Sequence, residues 1–166
     1  MTEPSTDALR VALRLTCDPA TAFAHFTGQF GRWWPLDSHS VGQKAATSCG
    51  MELYPGGRIW ELTSAGARHL WGRVLDCEEP TSLSFTWHPG RALDTAQNID
   101  VCFRPALDAA DGEATEVVLE QRDWHVFGPA AEHAREQYNE GWKVVLERFR
   151  RSVEESSSAR SNPRPA

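Results

Sequence analysis

The groups in this sequence that could do chemistry are a carboxylate at Glu61, an imidazole at His88, an amide at Gln121, a phenol at Tyr138 and seven indoles. The signatures that would make them a hydrolase or a metal site are missing. There is no GxSxG, no HExxH and no GxxxxGK[ST], the spacings that mark a serine elbow, a zinc helix and a phosphate loop. Pro55-Gly56-Gly57 leads into residues of strand character rather than a helix, so it reads as a tight reversal in which glycine supplies positive φ. Cys17, Cys49, Cys77 and Cys102 lie at least 25 residues apart, with no CxxC pair and no Cys/His cluster. They read as small core or strand residues, and neither a metal nor a cofactor is expected. His25, His39, His69, His125 and His133 show no metal spacing either and read as ordinary residues.

What remains is binding, with weak proton transfer as its extension. Trp33, Trp34, Trp60, Trp71, Trp87, Trp124 and Trp142 are a heavy aromatic load for 166 residues. Large rings with one polar tip suit the walls of a pocket, giving apolar area and one directional hydrogen bond. Trp87 closes the alternating face Leu83, Phe85, Trp87, and Trp142 sits mid-stripe on the last helix, so these two lead as wall candidates. Glu61 shares a parity with Ile59, against Arg58, Trp60 and Leu62. If Ile59 points inward so does Glu61, where desolvation would disfavour its charge or a cation such as Arg73 would pair with it; otherwise it stands in water. Gln121 is in register with Val117 and Leu119, and an amide there needs a partner. His88 ends its strand beside Pro89-Gly90, at a rim. Tyr138 lies one turn before Trp142 and can either pack or offer its hydroxyl to a ligand.

Positioning these groups falls to the last long helix, from Pro129 to about Val153. Ala134, Tyr138, Trp142, Val145, Phe149 and Val153 recur there in steps of three and four, while Glu132, Arg135, Glu140, Lys143 and Glu147 look to water. A stripe this aromatic needs a wide apolar partner, and each such side chain gains about 1.5–3 kcal/mol on full burial. The short strands upstream supply it. Leu9 to Thr16 alternates as a half-buried strand. Asp18-Pro19 then caps a short helix carrying Ala22, Phe23 and Phe26. Gln29 to Trp34 makes a second helical piece, stopped by Pro35. From about residue 45 the period becomes two, through Cys49 to Leu53, Arg58 to Thr63, His69 to Cys77, Leu83 to Trp87, Ile99 to Phe103 and Thr115 to Gln121, with a turn at Asp108–Gly112. The inward faces of 58–63 and 69–77 stay open. The reading is α+β: a curved antiparallel sheet of about seven strands wrapped around a long C-terminal helix, with two short helices after the first strand. One domain is expected over 8–153, with polar tails at 1–7 and 155–166.

Lys and Arg number 17 against 23 Asp and Glu, a net charge of −6 with no basic run. Nucleic acid and anionic membranes are poor partners for such a chain. The N-terminus lacks the form of a signal peptide, and no run approaches about 18 apolar residues. A cytoplasmic monomer or homodimer is expected.

The runs YPGGRIWEL, WGRVLDCEEP, LSFTWHPGR, TEVVLEQRDW and GWKVVLERF, in this order, resemble the family of activators of heat-shock protein 90 ATPase homologues, part of the START-like superfamily. The resemblance spans roughly residues 8 to 153. It implies a helix-grip fold, with a sheet gripping the C-terminal helix over an internal cavity. It also implies that Glu61, which follows the Gly-Gly turn, points inward. The cavity would then be lined by Trp60, Glu61, Trp87, His88, Gln121, Tyr138 and Trp142. Superfamily members bind lipids, hormones or polyketides, and a few are cyclases or hydrolases. Three readings follow: a binder of an apolar small molecule, a chaperone-associated stress protein, or a cyclase- or hydrolase-type enzyme using Glu61 or His88.

Overall fold

From Ala46 onward strand follows strand by short antiparallel connections, as the alternating segments require. The computed structural model describes residues 8–110 and 113–161. The strands are β1 (Leu9–Leu15), β2 (Ala46–Met51), β3 (Arg58–Thr63), β4 (Arg68–Glu78), β5 (Ser82–Trp87), β6 (Gln97–Pro105) and β7 (Thr115–Gln121), and the helices are α1 (Pro19–Gly28), α2 (Phe30–Trp33) and α3 (Ala131–Ser161). One curled sheet holds all seven strands in the order β1-β7-β6-β5-β4-β3-β2. β2 to β7 form a meander, and β1 returns to pair with β7, Leu9 opposite Gln121 and Leu15 opposite Thr115. The concave face carries Leu83, Phe85, Trp87, Ile99, Val101, Phe103, Val117 and Leu119, all buried. α3 lies across this face with Trp142, Val145, Leu146, Phe149 and Val153 buried. This is the helix-grip arrangement that the resemblance implies.

β4 explains why its inward face was open. Its pairing shifts register between Ile59 and Trp60 on one side and between Val74 and Asp76 on the other. Trp71 and Val74, of opposite parity, are therefore both buried, because each bulge re-phases the alternation. Gly72 is required at this crowded point. A Cβ there would stand 1.7 Å from the Thr86 carbonyl oxygen.

The Asp18 cap forms as expected, its carboxylate accepting from the Thr21 N–H at 2.8 Å. α1 and α2 then fill one end of the grip. Phe26 meets Phe149 at 5.2 Å and Phe103 at 5.6 Å between ring centroids, and Trp33 meets Phe149 at 5.0 Å. The α3 stripe at Phe149 is thus packed against both short helices.

Both ends of α3 differ from expectation. Gly128 adopts φ 56° and ψ −132°, so Trp124–Ala130 forms 3₁₀ turns and the α-helix starts at Ala131 rather than Pro129. At the other end it continues past Val153 to Ser161. Once a helix is nucleated each added residue is cheap, and Arg150 pairs with both Glu147 and Glu154 across its turns. Of the tail expected at 155–166, residues 155–161 belong to α3, and 162–166, the tail expected at 1–7 and part of the Asp108–Gly112 turn lie outside the described residues. Among the described residues no helix is long and apolar enough to cross a membrane.

Candidate functional site

Where α1 and α2 end, the grip opens. A cleft of about 520 Å³ runs under the first half of α3, bounded by Ala134, Tyr138, Gly141, Trp142 and Val145 of the helix, by Trp71 and Trp87 of the sheet, and by residues 39–41 of the loop after α2. Trp34 and Phe127 complete its walls. The four indoles at the cleft are in mutual contact, with centroid separations of 5.2 Å for Trp34–Trp71, 5.7 Å for Trp71–Trp87, 5.6 Å for Trp87–Trp142 and 5.9 Å for Trp34–Trp142, and Trp33 joins them from the core at 5.7 Å from Trp34.

Three of their polar tips are tied to the protein. Trp34 Nε1 donates to the His39 carbonyl at 2.6 Å, Trp71 Nε1 to Glu61 Oε1 at 2.7 Å and Trp142 Nε1 to Gln121 Oε1 at 2.7 Å. These three rings are held in place by buried hydrogen bonds and offer a ligand apolar ring surface rather than donors. Sequence reasoning expected the indole N–H groups to serve the ligand.

Glu61 is fully buried and on the inward parity of β3, yet it does not border the cleft. Its carboxylate accepts from the backbone N–H of Val41 at 2.6 Å, of Gly42 at 2.9 Å and from Trp71. Three N–H donors suit an ionised carboxylate, which only accepts. The cation proposed for it, Arg73, instead donates to the Gly56 carbonyl at 2.9 Å. Glu61 is therefore a positioning residue: it pins the loop that carries Val41 and fixes the tilt of Trp71. Its charge also helps to push the Cys49 thiol up to about 12, after burial as the main cause, and burial lifts Cys17 to about 11. Neither is a ready nucleophile at neutral pH.

Three further expectations are corrected. Trp60 lies on the outer face of β3, since Ile59, Glu61 and Thr63 take the inner one. Its ring sits against Gly50 and under the Arg68 guanidinium, 5.7 Å from the centroid. His88 is buried behind the rim that Pro89 and Gly90 form, its Nδ1 3.3 Å from the Arg91 carbonyl oxygen. Gln121 is buried and satisfied within the protein, accepting from Trp142 and donating to Gln97 Oε1 at 2.7 Å. Of the seven residues expected in the cavity, the structure brings Trp87, Tyr138 and Trp142 together at the cleft.

Sequence reasoning passed over His39. It sits in a loop without periodicity, so no pattern marked it. Its Nδ1 is 2.7 Å from Ser38 Oγ, and the Nε2 edge of its ring faces Gly141 across the cleft. Burial holds its imidazole below the ordinary histidine range, against the opposing pull of Asp37, which makes it a neutral imidazole at neutral pH.

Gly141 deepens the cleft in mid-helix, where glycine is less favourable than alanine by about 0.5–1 kcal/mol. A Cβ there would meet His39 Nε2 at 3.8 Å, an ordinary contact. Gly141→Ala is therefore expected to raise the unfolding free energy by about 0.5–1 kcal/mol in urea titration. A loss of stability would show that the space opposite Gly141 is not there.

The model of the family described as Activator of Hsp90 ATPase homolog 1-like protein matches residues 16–154. Protein NE0264 from Nitrosomonas europaea shares the fold, with a TM-score of 0.64 over 93% of this chain and 99% of its own at 14% identity. CalC from Micromonospora echinospora, a self-sacrificing resistance protein, is 25% identical with a TM-score of 0.62, covering 90% of this chain and 95% of that one. Txn09, an anthrahydroquino-γ-pyrone synthase solved in complex with SUM, is 29% identical with a TM-score of 0.54, covering 76% of this chain and 82% of its own. No curated protein matches the sequence.

Proposed function

The chain belongs to the Activator of Hsp90 ATPase homolog 1-like family, and on that footing we propose that it binds an aromatic, largely apolar small molecule in the cleft under the first half of α3. The observation that carries this reading is the four-indole cluster at a cleft of about 520 Å³. Sites for small organic molecules are concave, largely preformed and mostly apolar, with a few polar groups that fix orientation. Here the preformed walls are Trp34, Trp71, Trp87, Trp142 and Phe127, and the polar groups are His39, Ser40, Gln137 and Tyr138. Ring faces stack on planar ligands at offset or edge-to-face geometry. The similarity to Txn09, an anthrahydroquino-γ-pyrone synthase, supports a polycyclic ligand class.

The test uses 1-aminoanthracene, a neutral fluorophore that brightens in apolar surroundings. Saturable enhancement at one site per chain is expected. It should be lost in Gly141→Phe, whose ring would occupy the cleft from the helix side. A probe that fails to saturate, or that binds the variant equally well, would overturn the reading.

A further inference from the structure

Behind the apolar walls stands a cation with neutral partners. Arg91, half-buried, donates through Nη1 to the Thr95 carbonyl and through Nη2 to the Trp87 carbonyl at 3.0 Å, to Gln97 Oε1 at 3.2 Å and to Tyr138 Oη at 3.5 Å. Its guanidinium lies over the Phe127 ring, 4.6 Å from the centroid. Its Nε–H is buried and has no partner. Among the described residues no carboxylate forms an ion pair with it. Two other half-buried arginines do have such partners: Arg122 pairs with Asp100 and Glu120, and Arg150 with Glu147 and Glu154.

The side-chain amide that receives Arg91, Gln97, is itself fixed. Gln97 Nε2 donates to the Arg122 carbonyl at 2.9 Å, and Gln121 donates to Gln97 and accepts from Trp142. That network supplies hydrogen bonds but no negative charge. A cation withdrawn from water without a counter-charge is costly, and its field reaches furthest where the surroundings are apolar. Phe127 and Tyr138, the two side chains that touch the guanidinium from the cleft side, are both cleft walls. Tyr138 Oη accepts from Arg91, so its own proton is available to donate, and a donor polarised from behind donates more strongly.

Resting on the proposed aromatic ligand, we infer that the molecule carries an acidic oxygen. That oxygen, a carboxylate or an enolate, accepts from Tyr138 Oη–H, and Arg91 supplies the counter-charge. The net charge of −6 repels anions in general, so a preference for the ionised form has to come from this local pair.

Displacement of 1-aminoanthracene at pH 8 tests it with two acids and their neutral methylated counterparts. These are 2-naphthoate against methyl 2-naphthoate, and 2-hydroxy-1,4-naphthoquinone against its 2-methoxy analogue. At least one acid should displace at about tenfold lower concentration than its partner, as a charge-assisted hydrogen bond implies. Preference confined to the naphthoate assigns a carboxylate; preference confined to the hydroxyquinone assigns an enolate. The acid-to-neutral ratio should collapse toward one in Arg91→Gln and in Tyr138→Phe. Tyr138→Phe removes only an oxygen, so it carries the test if the arginine variant does not fold by circular dichroism. Equal displacement by all four compounds, or a ratio that survives Tyr138→Phe, overturns this inference while the cleft reading stands. A neutral probe that never binds removes both.

Discussion

Trp142→Ala should lower the unfolding free energy by about 3–5 kcal/mol, the range for large aromatic side chains removed from a core. The ring is 3% exposed and touches Trp34 and Trp87. Its loss also strands Gln121 Oε1, a buried acceptor, which adds a desolvation cost to the cavity. Gln121 in turn holds Gln97, so the variant loosens the network beneath Arg91 as well as the wall. Urea unfolding with an unchanged m-value checks the magnitude. A loss below about 1 kcal/mol would mean that the ring is exposed and that α3 does not seat as described.

Glu61→Ala should be nearly as damaging, at about 3–5 kcal/mol, because it leaves the N–H groups of Val41, Gly42 and Trp71 without their acceptor in a buried site. Glu61→Gln is the sharper probe. Its amide keeps one acceptor oxygen but sets an NH₂ group against a backbone N–H, so a partial loss of stability is expected. Both variants should weaken 1-aminoanthracene binding, since Val41 and Trp71 are cleft walls. Calorimetric or urea stability equal to the parent in Glu61→Gln would show that the loop is held by something else.

Much of this architecture could be read from periodicity. Leu83, Phe85 and Trp87, then Ile99, Val101 and Phe103 alternate without interruption and are buried, and Val117, Leu119 and Gln121 follow suit although Val118 between them is buried as well. The stripe on α3 was equally plain, because three- and four-residue steps have no competing interpretation. The parity of Arg58 to Thr63 was not, since an inward glutamate contradicts the usual exposure of carboxylates until its three N–H donors are known. Two of those donors come from a loop 19 and 20 residues away in sequence that carries no pattern of its own, and the third is a ring on the neighbouring strand. For the same reason His39 and Arg91 were invisible: each owes its role to contacts across the fold. Trp60 was misplaced because indole count says nothing about parity.

The spacing of the four clustered rings, all between 5.2 and 5.9 Å from a neighbour, makes them a single optical unit. Light absorbed by any one of them can migrate to the others before it is emitted. An electron-poor molecule resting on one member would therefore darken the group, and native emission would report the occupancy proposed for the cleft.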